Sequence, residues 1–149
     1  MLLIAHRGNT NGPNPDWENN PKQINLCISK DIDVEVDLRV IDGEFWLGHD
    51  EGQYLVSSGW LIMRRNHLWV HCKNVEALYE CRNYHLHHFW HEKDQYTITS
   101  QGWVWAYPNK LVPKPSPRSI SVCVMPEIYN TDTTNFQAIC TDYVETYTI

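Results

Sequence analysis

The ionisable groups of this 149-residue chain whose spacing points most directly to chemistry lie between Asp33 and Asp50. There Val34, Val36, Leu38 and Val40 alternate with Glu35, Asp37 and Arg39. A period of two belongs to a β-strand, whose successive side chains point to opposite faces. Glu35 and Asp37 therefore share a face. Two carboxylates so placed repel each other unless a positive charge lies between them. A divalent cation, bound through carboxylate oxygen, is the natural occupant. The plainer alternative is a solvent-facing strand with both carboxylates in water. Asp42-Gly43 is a hairpin signal, and the apolar run Phe45-Trp46-Leu47 behind it delivers His49-Asp50 to the end of a returning strand.

The elements that must position these groups can be read in order. Leu2–Ala5 is a short apolar run, predicted as a buried strand with His6 and Arg7 at its C-terminal end. Residues 9–16 are turn formers and make a loop. Asn20 caps a predicted helix that has Pro21 at its first position and runs to Lys30. Ser57–Asn66 is expected to be an irregular or short helical connection. Leu68–Lys73 reads as a third strand with His71 and Lys73 on one face, and Asn74 caps a helix over Val75–Arg82. Further strands are expected at His87–Glu92, Gly102–Tyr107 and Ile120–Met125, with an extended piece at Gln95–Thr99. Residues 108–118, rich in Pro and Lys, form a loop. The polar stretch 128–135 holds at most a short turn, and a last short strand ends near Thr141-Asp142.

This βαβ order, with little helix in the second half, predicts an α/β fold in which parallel strands close round an axis. Functional groups in such barrels sit at the strands' C-terminal ends, where His6, His49, Lys73, His91 and Glu127 fall. A complete barrel of this type takes about 250 residues. A trimmed TIM-type barrel, formed as one domain over residues 1–149, is the expectation. Of His85, His87, His88 and His91, alternation sends one or two to the barrel mouth. Trp90, Trp103 and Trp105 are expected in the core or wall, and the wall left bare of helices is a candidate contact for a second copy.

Composition narrows the function classes. With a net charge of −6, nucleic-acid binding has no electrostatic support. No apolar run reaches the length of a membrane span, and Met1–His6 lacks the basic and long apolar regions of a signal peptide. The five cysteines form no C-x-x-C pair and read as free, buried thiols of a cytoplasmic protein.

His6-Arg7-Gly8, Glu18-Asn19, Glu35-x-Asp37, Asp42-Gly43 and His49-Asp50, in this order and spacing, resemble the glycerophosphodiester phosphodiesterase family. Val70-His71-Cys72-Lys73 and Cys140-Thr141-Asp142 look like its third-strand and closing motifs. The close match covers residues 1–50. The resemblance implies a metal-dependent phosphodiesterase of lipid metabolism acting on a glycerol-type phosphodiester. It implies that His6 and His49 are the acid/base pair, that Glu35 and Asp37 bind the metal, and that Arg7 and Lys73 hold phosphate. Glu18 reads as a supporting residue, and Asp50 as one that orients a neighbour or a turn. The chemistry agrees: diester cleavage needs one base and one acid titrating near neutrality, and the phosphoryl oxygens need positive charge. Arg7 could equally be an ion-pair partner of Glu18.

Two departures stand out. The family's acidic ligand two residues before the lysine is replaced by His71. An imidazole there favours manganese or zinc over calcium or magnesium; alternatively Glu92 or Glu127 substitutes as the third ligand. The segment after His49-Asp50 is also too short for the family's small substrate-binding insertion. The competing readings are a non-catalytic phosphate-binding module on the same barrel and a phosphoesterase acting on a surface-glycan diester.

Overall fold

The computed structural model describes residues 1–148. Strand β1 (Leu2–His6) leads through the turn-rich loop to helix α1 (Pro21–Ser29). The Asn20 side chain accepts a hydrogen bond from the Lys22 amide at 2.9 Å, satisfying a donor that the first helical turn leaves free. Strand β2 (Asp33–Ile41) then turns at Asp42 and Gly43, both at positive φ, and returns antiparallel as β3 (Glu44–Leu47). Positive φ at both central residues is what a tight hairpin requires. Strand β4 (Tyr54–Val56) extends the hairpin, and α2 (Ser58–Arg64) forms the connection as a short helix. Next come β5 (Leu68–Cys72), α3 (Val75–Asn83) capped by Asn74, and β6 (His88–Phe89). The second half holds β7 (Tyr96–Ile98), β8 (Val104–Ala106), β9 (Ser121–Val124), α4 (Pro126–Tyr129) and β10 (Ala138–Thr141). A 3₁₀ turn at Val144–Thr146 follows.

The parallel strands run β6-β5-β2-β1-β10-β9-β8 in one curled sheet. β3 branches antiparallel from the C-terminal half of β2, and β7 lies antiparallel to β8. The fold is thus mixed α/β with few helices, as a trimmed barrel requires, but it is not a complete TIM ring. Among the described residues no ladder joins β6 to β8. Residues 97–100 bridge that seam: the Ser100 amide donates to the His88 carbonyl at 2.8 Å, and the Thr97 hydroxyl to the Trp90 carbonyl at 3.0 Å. The strand expected at His87–Glu92 is correspondingly cut to two residues.

Alternation along the strands builds two packed layers. Ile4, Trp69, Phe89, Trp105, Val122 and Cys140 fill the inside of the curl. Val34, Val36 and Leu38 face outward onto Ile24 and Cys27 of α1 and Ala77 and Cys81 of α3. Each such large aliphatic side chain contributes about 1.5–3 kcal/mol by leaving water. Trp105 is buried as expected, whereas Trp90 is largely exposed. The wall without helices is not bare at its centre, because Phe136 and Val112 cover Ala106, Cys123 and Ile139. All five cysteines are buried free thiols. Among the described residues, no helix is long and apolar enough to cross a membrane.

Candidate functional site

The inner face of β2 presents Asp33, Glu35 and Asp37, and all three are buried. Neighbouring β5 is in register, with Asp37 opposite His71. Its Nδ1 stands 3.5 Å from Oε1 of Glu35 and 3.5 Å from Oδ1 of Asp37. One ligand atom from each of these three residues can be chosen so that all lie within 4.8 Å of one another. Nε2 of His71 lies 2.8 Å from the carbonyl oxygen of His91, so it must carry the hydrogen. In its neutral form His71 therefore turns a bare Nδ1 lone pair toward two carboxylates. Oδ1 of Asp37 is buried without a hydrogen-bond partner. A lone pair and an orphaned oxygen turned toward one point suit a divalent cation, whose imidazole ligands characteristically donate their other nitrogen to a carbonyl. Neither alternative ligand belongs to this trio: Glu127 accepts the Asp142 amide at 3.1 Å, and Glu92 lies on the cleft wall.

Basic groups border the carboxylates. Lys73 places Nζ 3.9 Å from Oδ1 of Asp37. Arg7 sits at a left-handed φ of 54°, a strained position for a side-chain-bearing residue. That turn aims its amide at Oε2 of Glu35, at 3.2 Å. Its guanidinium spans Asp37, 3.1 Å from Nε, and Glu18, 3.1 Å from Nη1. The ion pair with Glu18 and a place on the cleft wall are therefore both present. Asn19 braces Asp37 from behind, donating to Oδ2 at 3.0 Å and accepting the Asp37 amide at 2.9 Å. Burial would raise the pKa of Glu35, but a hydrogen bond from Nδ1 of a protonated His71 and the charges of His6, His71 and Arg7 outweigh it and hold the carboxyl well below its usual range.

His6 ends β1 beside Glu35, with Nε2 4.0 Å from Oε2. Its Nδ1 meets Oδ1 of Asp142 at 2.8 Å. Burial pulls the His6 pKa down, yet the Asp142 bond and the Glu35 charge outweigh it and leave it raised. Asn9 donates to the same Asp142 oxygen at 2.8 Å and to Oε1 of Glu18 at 3.0 Å. Glu18 is thus a buttress that joins Arg7 to the His6 side.

His49 arrives from the other flank. The Gly48 amide donates to the Asp37 carbonyl at 3.0 Å, tying the end of the hairpin to β2. Arg39 donates from Nη2 to the His49 carbonyl, and Nδ1 of His49 lies 2.7 Å from Oδ1 of the exposed Asp50. His6, Glu35, His49, His71, Lys73 and Arg7 all line one cleft of about 370 Å³. His91 also reaches this cleft, whereas His87 faces the opposite end, bonded to Thr99 at 2.7 Å.

Two members of the site carried no assigned role in the sequence reading. Asp142 had a signal, since Thr141-Asp142 was visible as a closing motif, but its partner His6 lies 136 positions away. Asn9 had none, standing in a run of turn formers.

No family model matches the chain, and no curated protein matches it. Among solved structures, the fold is similar to the crystal structure described as "a putative glycerophosphodiester phosphodiesterase from Galdieria sulphuraria". The TM-score is 0.53 at 14% identity, over 97% of this chain and 94% of that one. At this identity the likeness speaks to the fold alone.

Proposed function

We propose that the chain is a phosphodiesterase that cleaves a glycerol-type phosphodiester by histidine acid–base catalysis at a divalent cation. The observation that carries this reading is the convergence of His6 and His49 on the cleft that also holds Glu35, His71, Lys73 and Arg7. A site for phosphate alone needs positive charge but not two titrating imidazoles.

Glu35, Asp37 and His71 would hold the cation, and it would offset charge on the phosphoryl oxygens as a Lewis acid. Lys73 supplies a point charge and Arg7 a planar fork for the other oxygens. His6, whose pKa is raised, remains protonated nearer neutrality and gives the Nε2 proton to the leaving alkoxide. Asp142 holds its Nδ1 and fixes the ring. His49 accepts the proton of the attacking hydroxyl, belonging either to water or to the substrate itself, and Asp50 orients it.

The test is turnover of a panel of glycerol phosphodiesters with manganese, zinc, magnesium or calcium. His6→Ala and His49→Ala should each lower turnover by about 10²–10⁴-fold with the fold intact. Binding of inorganic phosphate without turnover of any diester would reduce the protein to a phosphate-binding module.

A further inference from the structure

We infer that the substrate's alcohol arm on the His6 side is an apolar one, received in a hollow of about 560 Å³ that adjoins the cleft. This rests on the phosphodiesterase reading and specifies its substrate class. The hollow is walled by Pro13, Met125, Ile128, Tyr143 and Tyr147, with Glu127 and Asp142 at one side. Glu127 and Ile128 belong to the four-residue α4, and Thr146 of the 3₁₀ turn lines the hollow as well.

Two residues link the hollow to the site. Met125 lines both it and the catalytic cleft. Asp142 lines the hollow while its Oδ1 holds Nδ1 of His6 at 2.8 Å. A phosphate ester seated in the cleft would therefore have Met125 on its wall.

Met125 itself is held at φ 49°, a left-handed conformation that a side-chain-bearing residue adopts at a cost. Such strain persists where surrounding structure imposes it, commonly at ligand clamps. Here the turn is fastened by the Met125 amide, which donates to the Cys140 carbonyl at 2.7 Å. It sets a flexible thioether, a side chain that adapts to irregular apolar partners, at the passage between cleft and hollow. Beyond it, Ile128 is 54% exposed and Tyr147 39% exposed, so their apolar surface is free to be covered. Of the hollow's acidic groups, Oε1 of Glu127 accepts the Asp142 amide at 3.1 Å, while its Oε2 is buried without a hydrogen-bond partner. An arm of linked methylenes or an aryl ring gains by burying against these walls, whereas a methyl or glyceryl arm leaves them wet.

The experiment compares hexyl phosphate with methyl phosphate, their binding measured by calorimetry on the manganese-loaded protein. Hexyl phosphate should bind at least about tenfold more tightly, since each buried methylene adds to transfer free energy. The double variant Ile128→Ser, Tyr147→Ser, at exposed positions, should bring that ratio toward one, and Ile128→Ser alone should lower it partway. Equal affinities in the wild type, or a ratio indifferent to the substitutions, would overturn the inference. Hydrolysis is scored separately on glycerol diesters bearing hexyl and methyl arms. Hexyl preference in binding without turnover supports the hollow and sinks the enzymatic reading; turnover without chain preference does the reverse.

Discussion

His71 gives its Nε2 hydrogen to the carbonyl oxygen of His91 at 2.8 Å, and that bond decides which nitrogen faces the carboxylates. Nδ1 stands 3.5 Å from both Glu35 and Asp37, and in the neutral ring it is bare, so the trio then offers a mixed nitrogen–oxygen ligand set. Such a set ranks imidazole-tolerant ions above calcium and magnesium. The wild-type protein should therefore melt at higher temperature with manganese or zinc than with calcium. His71→Glu should shift the order toward calcium or magnesium. The same series in activity provides the check, and an ion ranking unchanged by the substitution would remove His71 from the ligand set.

The bond between Asp142 and His6 has a pH signature. His6 has a raised pKa in spite of burial, because the Asp142 bond and the Glu35 charge favour the imidazolium. As the proton donor, His6 loses function as pH rises through that raised value. Asp142→Asn removes the negative charge while keeping the shape, so burial regains weight and the pKa falls. The alkaline limb of the rate profile should move to lower pH, with turnover at neutral pH reduced by about 10²-fold or more. A limb that stays in place would assign it to another group.

His87 acts on stability in the opposite sense from His6. Burial lowers its pKa to about 4 from an ordinary value of 6.5. The unfolded chain therefore binds more protons than the native one between these values. The contribution of His87 is full above 6.5 and is lost as pH falls toward about 4. His87→Gln keeps a polar partner for Thr99 but cannot titrate. Its stability should fall less steeply than that of the wild type over this window, as read by denaturant unfolding at several pH values. Loss of the stacking on Trp69, whose ring centre is 4.1 Å away, lowers the variant at every pH and leaves the slope comparison intact. Equal slopes would show that His87 does not titrate in that range.

Gly48 is a positioning residue for His49. Its φ is 154°, and a Cβ there would lie 1.9 Å from the Glu51 carbonyl oxygen. Backbone cannot yield as a flexible side chain does, so Gly48→Ala must displace the turn that carries His49. A stability loss of about 1–3 kcal/mol is expected, together with a fall in turnover comparable to that of His49→Ala. A variant with wild-type melting and turnover would mean that the turn is dispensable.

The legible parts of this protein are those in which neighbours in sequence decide geometry. Alternation over Val34–Val40 placed Glu35 and Asp37 on one face, and the same rule paired His71 with Lys73. Asp42-Gly43 specified a hairpin because both residues tolerate positive φ, while Asn20 with Pro21 and Asn74 marked two helix starts by their capping chemistry. Each of these follows from dihedral preference or side-chain periodicity within a few residues. The four-residue α4, the two-residue β6 and the seam bridged by residues 97–100 were not legible. Their lengths depend on how far the curled sheet extends, which no local pattern records.

Closure of the sheet also decided the site's second layer. Asp142 reaches His6 because β10 pairs with β1, and Asn9 joins them because its loop folds back across that pair. Arg7 meets Glu18 and Asp37 together only when β1 lies beside β2. The Nε2 hydrogen of His71 is held by a carbonyl twenty residues on, brought near by β6. Periodicity along each strand is enough to assign the ionisable groups to a face. Which of them touch follows from strand pairing, because hydrogen bonds across strands depend on partners that local preference does not contain.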